Sequence, residues 1–60
     1  MTKLELLRRT ASLTQTELAK KSGVSITTIS KIETAGTSVA RVGTLLKLAE
    51  AIGCEVADFF

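Results

Sequence analysis

The sequence predicts an all-α fold, a compact bundle of four to five short helices built from 60 residues. Three observations predict it. Apolar residues recur three and four apart rather than two apart, as at Leu4, Leu7 and Ala11, at Ile29 and Ile32, and at Val42, Leu45, Leu48, Ala49 and Ile52. Hydroxyl residues stand just ahead of three of the runs, at Thr2, Thr14 and Ser25, where a helix N-terminus needs a side-chain acceptor. Glycines close two of them, Gly23 and Gly53, and no proline interrupts any.

The first helix opens at Thr2. Its hydroxyl is placed to accept from the Glu5 amide while the Glu5 carboxylate reaches back, and Met1 and Leu6 occupy the positions of a hydrophobic staple. Leu4, Leu7 and Ala11 then form one apolar stripe, so the helix should reach Thr10 or Ala11 and turn at Ala11-Ser12-Leu13. The second start is better marked. Thr14 caps, Glu17 returns the bond, and Leu13 staples to Leu18. Leu18 and Ala19 face inward, Lys20 and Lys21 suit the negative end of the helix dipole, and Gly23 suits a left-handed ending.

Ser25 begins the third helix, about Ile26 to Glu33, with Val24 and Ile29 as its staple pair. Ile29 and Ile32 share one face, while Ile26, Thr27, Ser30, Lys31 and Thr34 fall mostly on the other. So many β-branched residues make a mediocre helix former, so tertiary contacts must hold it. A strand from Val24 to Ile32 is the rival, discounted because the three-residue step from Ile29 to Ile32 breaks alternation. Thr34 to Ala40 reads as a loop around Gly36. A fourth helix follows, about Val42 to Ile52, with a poorly marked start and Gly43 weakening its first turn. Val56 to Phe60 supplies one last helical turn.

Residues 1–60 are read as one domain. A chain of this length buries only about 60% of its unfolded surface, so its stability should be marginal. No run is apolar and long enough to span a bilayer and no basic-then-apolar leader precedes the fold, so a cytoplasmic protein with no membrane partner is expected. The lone Cys54 cannot form an internal disulfide and reads as a small core hydrophobe. Histidine is absent, which removes the usual neutral-pH acid–base group and the commonest nitrogen ligand. No nucleophile–base pair, phosphate-cradling loop or metal set is present, so catalytic residues, a bound metal and a cofactor are all expected to be none. Charge is uneven. Residues 1–41 carry seven Lys/Arg against three Glu, a net +4, and residues 42–60 carry one Lys against three carboxylates, a net −2. An anionic partner would meet the N-terminal two-thirds.

The ordered set Leu13-Thr14-Gln15, Glu17-Leu18-Ala19, Gly23-Val24-Ser25, Ile29-Ser30, Ile32-Glu33, Thr44-Leu45-Leu46-Lys47-Leu48-Ala49 and Ile52-Gly53 resembles the phage-repressor/Cro-type helix-turn-helix family, also called the xenobiotic-response-element type. The likeness runs from Leu4 to Phe60. It implies a lambda-repressor-like bundle of five short helices whose third helix enters the major groove of double-stranded DNA. Its members are transcriptional repressors, plasmid or phage regulators, and antitoxins, most of them two-fold dimers. Two departures stand out. The loop before helix four is slightly longer than usual and has Ala40 near the place of a common proline, and the helix-three surface lacks the glutamines and asparagines that many members set against bases.

The resemblance makes Gln15 a phosphate contact that braces the start of helix three, in keeping with an amide beside free N–H groups. Ile26, Thr27 and Thr28 fall in the first turn of helix three, where such proteins reach base edges. Isoleucine would pack on a thymine methyl and Thr27 would bond a base or a phosphate, with Thr28 alternatively a local cap partner. Ser30 and Lys31 extend the same face. Thr34, Thr37 and Ser38 would give hydroxyls to phosphate, Gly36 would permit close backbone approach, and Arg41 resembles a loop arginine laid along phosphates or into the minor groove. Arg8 and Glu33 match a family salt bridge between helix one and the end of helix three. Arg9 is expected to be solvated. Phe60, Phe59 and exposed parts of helix four are candidates for the dimer interface, with ordinary core packing the preferred reading for Phe59. The function expected is sequence-specific binding of duplex DNA by a homodimeric repressor. The alternative is an antitoxin or docking module whose main partner is another protein, such as a toxin. An enzyme is not expected.

Overall fold

Residues 2–60 are described by a computed structural model. Among them the chain forms four α-helices, α1 (Lys3–Thr10), α2 (Gln15–Ser22), α3 (Ile26–Ala35) and α4 (Val42–Ile52), with single 3-10 turns at Thr37–Val39 and Val56–Phe59. The fifth helix that the family resemblance implied is thus a 3-10 turn. α3 runs two residues past Glu33, and the predicted loop around Gly36 shrinks because Thr37–Val39 coils.

The caps act largely as their residue types require. Thr14 Oγ1 accepts from the Glu17 N–H at 3.0 Å, and the Glu17 carboxylate accepts from the Thr14 N–H at 2.8 Å. Ser25 Oγ accepts from the Thr28 N–H at 3.2 Å. Gly23 ends α2 at φ +76°, a left-handed conformation that a Cβ would strain. At α1 the reciprocal bond is replaced. Thr2 Oγ1 accepts from the Glu5 N–H at 3.3 Å, but the Glu5 carboxylate pairs with Arg9 at 2.7 Å, one helical turn away. Arg9 is therefore paired at the surface rather than free. The Met1–Leu6 staple lies outside the described residues on its Met1 side, and Leu6 itself is exposed. Between α1 and α2 the chain reverses through Ser12 at φ 60°, a left-handed turn by a residue that is not glycine.

The Glu17 cap gives a pH-dependent expectation. Bonds from the Thr14 backbone, then its hydroxyl, hold the Glu17 carboxyl below the usual carboxylate value near 4.5. A carboxylate bound more tightly in the folded state stabilises above its unfolded pKa, and that contribution fades as pH falls through the folded one. Between pH 6 and pH 3 the thermal midpoint should therefore fall further in the native chain than in Glu17→Gln, which keeps the reach-back acceptor but does not titrate. Parallel melting curves by circular dichroism check this, and identical acid sensitivity would remove Glu17 from the account.

The core lies where the four helices meet. Leu4, Leu18, Ile29 and Leu48 are wholly buried, Ile32 and Leu45 nearly so, and Val24, Ala49, Ala51 and Phe59 complete the cluster. Leu7, Leu13, Ala19, Ile52, Cys54 and Val56 pack against it from the rim. Two stripe assignments fail. Ala11 is exposed because α1 has ended and it serves as the C-cap. Val42 is 68% exposed because the first turn of α4 projects past the core that receives Leu45 and Leu48. Burial pushes the half-buried Cys54 thiol up, with Asp58 and Glu55 adding to the effect, so its thiolate is disfavoured.

Candidate nucleic-acid interface

Buried Ile29 and Ile32 seat α3 and dictate which residues it presents. At 100° per residue they place Thr27, Lys31 and Thr34 on the opposite side. Thr27, Ser30, Lys31 and Thr34 are all exposed, and so is Ile26 at 44%. Thr28 is drawn away from this ridge. It is half-buried, and its hydroxyl lies 2.9 Å from Ser25 Oγ within the cap. Its local partner therefore competes with any base contact. Ser38 and Arg41 are exposed in the segment after α3, while Thr37 is half-buried at the start of the 3-10 turn.

Behind the ridge, one buried carboxylate joins three segments. Arg8 Nε donates to Glu33 Oε2 at 2.6 Å, Arg8 Nη2 donates to Glu33 Oε1 at 3.1 Å, and Arg8 Nη1 donates to the Leu13 carbonyl at 2.8 Å. Both residues are 8% exposed. The fork of two parallel bonds is the strongest geometry available to this pair. The Glu33 hydrogen bonds push the Arg8 guanidinium further above its ordinary range, against the opposing effect of burial. Among the described residues no buried side-chain polar atom lacks a partner.

Gln15 completes the cluster. Its Nε2 donates to Glu33 Oε1 at 3.0 Å. It therefore braces α3 near its C-terminal end, not at its start as expected, because the acceptor within reach is Glu33. The acceptor also fixes the amide orientation, since only the nitrogen can donate to a carboxylate. One amide hydrogen is used and the second remains for an outside acceptor.

The electrostatic result follows from this pairing. Glu33 is the one carboxylate on α3, and Arg8 neutralises it behind the ridge. The exposed α3 face carries hydroxyls, Ile26 and the Lys31 ammonium. The first turn of α3 holds no acidic residue, so the positive end of the helix dipole is uncompensated there. Beside the ridge, Ser30, Lys31, Thr34, Ala35 and Val39 enclose a shallow hollow of about 290 Å³. Val39, 56% exposed, was missed by sequence reasoning, where it passed as a loop residue. Its signal was a lone branched hydrophobe among small and hydroxyl residues. Phe60 is 68% exposed, whereas Phe59 is buried.

A short α3 packed on α2, with an outward ridge free of carboxylates, is a helix-turn-helix arrangement. A family model described as helix-turn-helix matches residues 4–59, and the chain belongs to that Cro/C1-type family. The family is a DNA-binding regulatory one and not an enzyme family. No curated protein and no solved structure matches the chain. No helix among the described residues is long and apolar enough to cross a membrane.

Proposed function

We propose that the 60 residues act as one domain that binds duplex DNA in a sequence-specific manner as a homodimer and represses transcription, in the cytoplasm where its DNA lies. The observation that carries this reading is the outward α3 ridge, with Ile26, Thr27, Ser30, Lys31 and Thr34 exposed and Glu33 neutralised by Arg8. The N-terminal residues of α3 meet base edges in the major groove. Ile26 packs on a thymine methyl, and Thr27 and Lys31 bond bases or phosphates. Thr34, Thr37, Ser38 and Arg41 contact the strand beside the groove, and the unused Gln15 amide hydrogen meets a phosphate. Phosphate contacts supply most of the affinity, so binding falls steeply with salt.

Exposed apolar side chains favour a protein partner as well. Leu46 is 55% exposed and lines a hollow with Ala49, Cys54, Val56 and Ala57, to which Glu50 and Glu55 also contribute, and Phe60 follows the same turn. We place the second copy on this face; two α3 ridges that read successive turns of the duplex must lie about 34–36 Å apart. The second reading, an antitoxin, uses the same exposed residues to hold a toxin.

Selection of bound sites from random duplex DNA tests the assignment. Lys31→Ala and Thr27→Ala should each change the recovered motif, with about 1–3 kcal/mol of discrimination lost per base contact. Gln15→Ala should weaken every site alike. The spacing and symmetry of recovered half-sites report the dimer. If all three variants leave motif and affinity untouched, the reading surface lies elsewhere, and absence of any salt-sensitive binding favours protein docking.

A further inference from the structure

We propose that the hollow beside α3 receives the 5-methyl group of a thymine, which makes Val39 a specificity-determining residue. This rests on the reading that α3 enters the major groove. Ser30, Lys31, Thr34, Ala35 and Val39 line the hollow. Val39 takes no part in the core and stands 56% exposed. It is nevertheless flanked by hydrogen-bonded backbone. The Gly36 N–H closes α3 on the Ile32 carbonyl at 2.8 Å, and the Ala40 N–H closes the 3-10 turn on the Thr37 carbonyl at 3.0 Å. A branched aliphatic side chain is thus presented beside the helix and is more than half open to solvent or a ligand.

The occupant follows from the chemistry of the walls. No carboxylate lines the hollow, and Lys31 is part of its wall. Arg41 follows two residues beyond Val39. An apolar patch with a cationic rim complements a methyl group set beside phosphates. Thymine is the base of unmodified DNA that offers one in the major groove, next to an O4 acceptor. The Ser30 hydroxyl and the Lys31 ammonium supply donors for that oxygen. Ile26 stands at the other end of the ridge, nine residues from Ala35. At 1.5 Å per residue the two apolar points are about 13–14 Å apart along α3. That separation exceeds one base step of about 3.4 Å, so Ile26 and the hollow at Val39 meet different positions of one half-site.

Deoxyuridine tests the proposal, because it removes only the methyl group. In a site recovered by selection, each thymine is replaced in turn and the affinities of the native chain and Val39→Ser are compared. One swap should weaken the native chain about threefold to fivefold, the change expected for about one buried methyl group. Val39→Ser should lose a similar factor on the intact site and be indifferent to the swap at that thymine. It should remain sensitive at any thymine read by Ile26. The exposed position leaves the fold intact, and an unchanged thermal midpoint verifies that. Equal swap penalties in both proteins at every thymine, or a site with no methyl-sensitive position, overturn the role of Val39 while leaving groove binding in place. Failure to bind any duplex overturns the groove reading and the hollow together.

Discussion

Replacing Arg8 with alanine should cost about 3–5 kcal/mol, because it leaves the Glu33 carboxylate buried without its cation. At roughly 0.05–0.15 kcal/mol per residue, a domain of this size holds only about 3–9 kcal/mol in total. The loss is comparable to that total, so the variant should melt far below the native chain. Arg8 also donates to the Leu13 carbonyl, so the same change frees the turn into α2. The double substitution Arg8→Met with Glu33→Leu should recover most of the loss, since well-packed apolar replacements of a buried pair are often neutral or better. Urea titrations of the native chain and the two variants give these differences directly. An Arg8→Ala variant within 1 kcal/mol of the native chain would mean that water already reaches the carboxylate.

Leu18→Ala should cost about 2–5 kcal/mol, the usual range for emptying a core leucine site. Leu18 is wholly buried, and it lies midway along α2 where that helix meets α3 and α4. No other large side chain of α2 is buried, so nothing else on that helix can refill the space. Leu18→Met, which preserves volume, should cost less than about 1.5 kcal/mol. Because α3 depends on tertiary contacts, duplex binding by the alanine variant should track its folded fraction. Thermal melting with a parallel binding titration would show this. Binding lost in a fully folded variant would instead mean that α2 tunes the reading surface rather than merely supporting it.

The contrast between α2 and the segment after α3 explains what a reader of the sequence can see. Thr14, Glu17 and Gly23 act on backbone within a few residues of themselves, so their signals are local and α2 was legible to the residue. Ile29 and Ile32 likewise told which face of α3 turns inward, and hence which side chains face out. The Thr37–Val39 turn has no side-chain cap to announce it. Val42 and Ala11 obey the periodicity of their neighbours and still lie exposed, because a repeat names a face without saying where the bundle stops. Gln15 and Glu33 are 18 residues apart in the chain, and no local pattern encodes their bond. The Arg8–Glu33 pairing came from family resemblance rather than from the residues alone. The hollow around Val39 was hidden for a related reason, since its other walls come from α3.

Since the Arg8–Glu33 pair ties α1, the turn at Leu13 through Arg8 and the first turn of α2 through Glu33 to the end of α3, none of these parts can loosen by itself. Fraying of one strands the polar groups of the rest, so this corner opens all at once or stays shut. The C-terminal Val56–Phe59 turn has only Phe59 as a buried anchor and is free of that constraint. Amide exchange should consequently divide the chain into a slow, collectively opening half around the clasp and a faster tail.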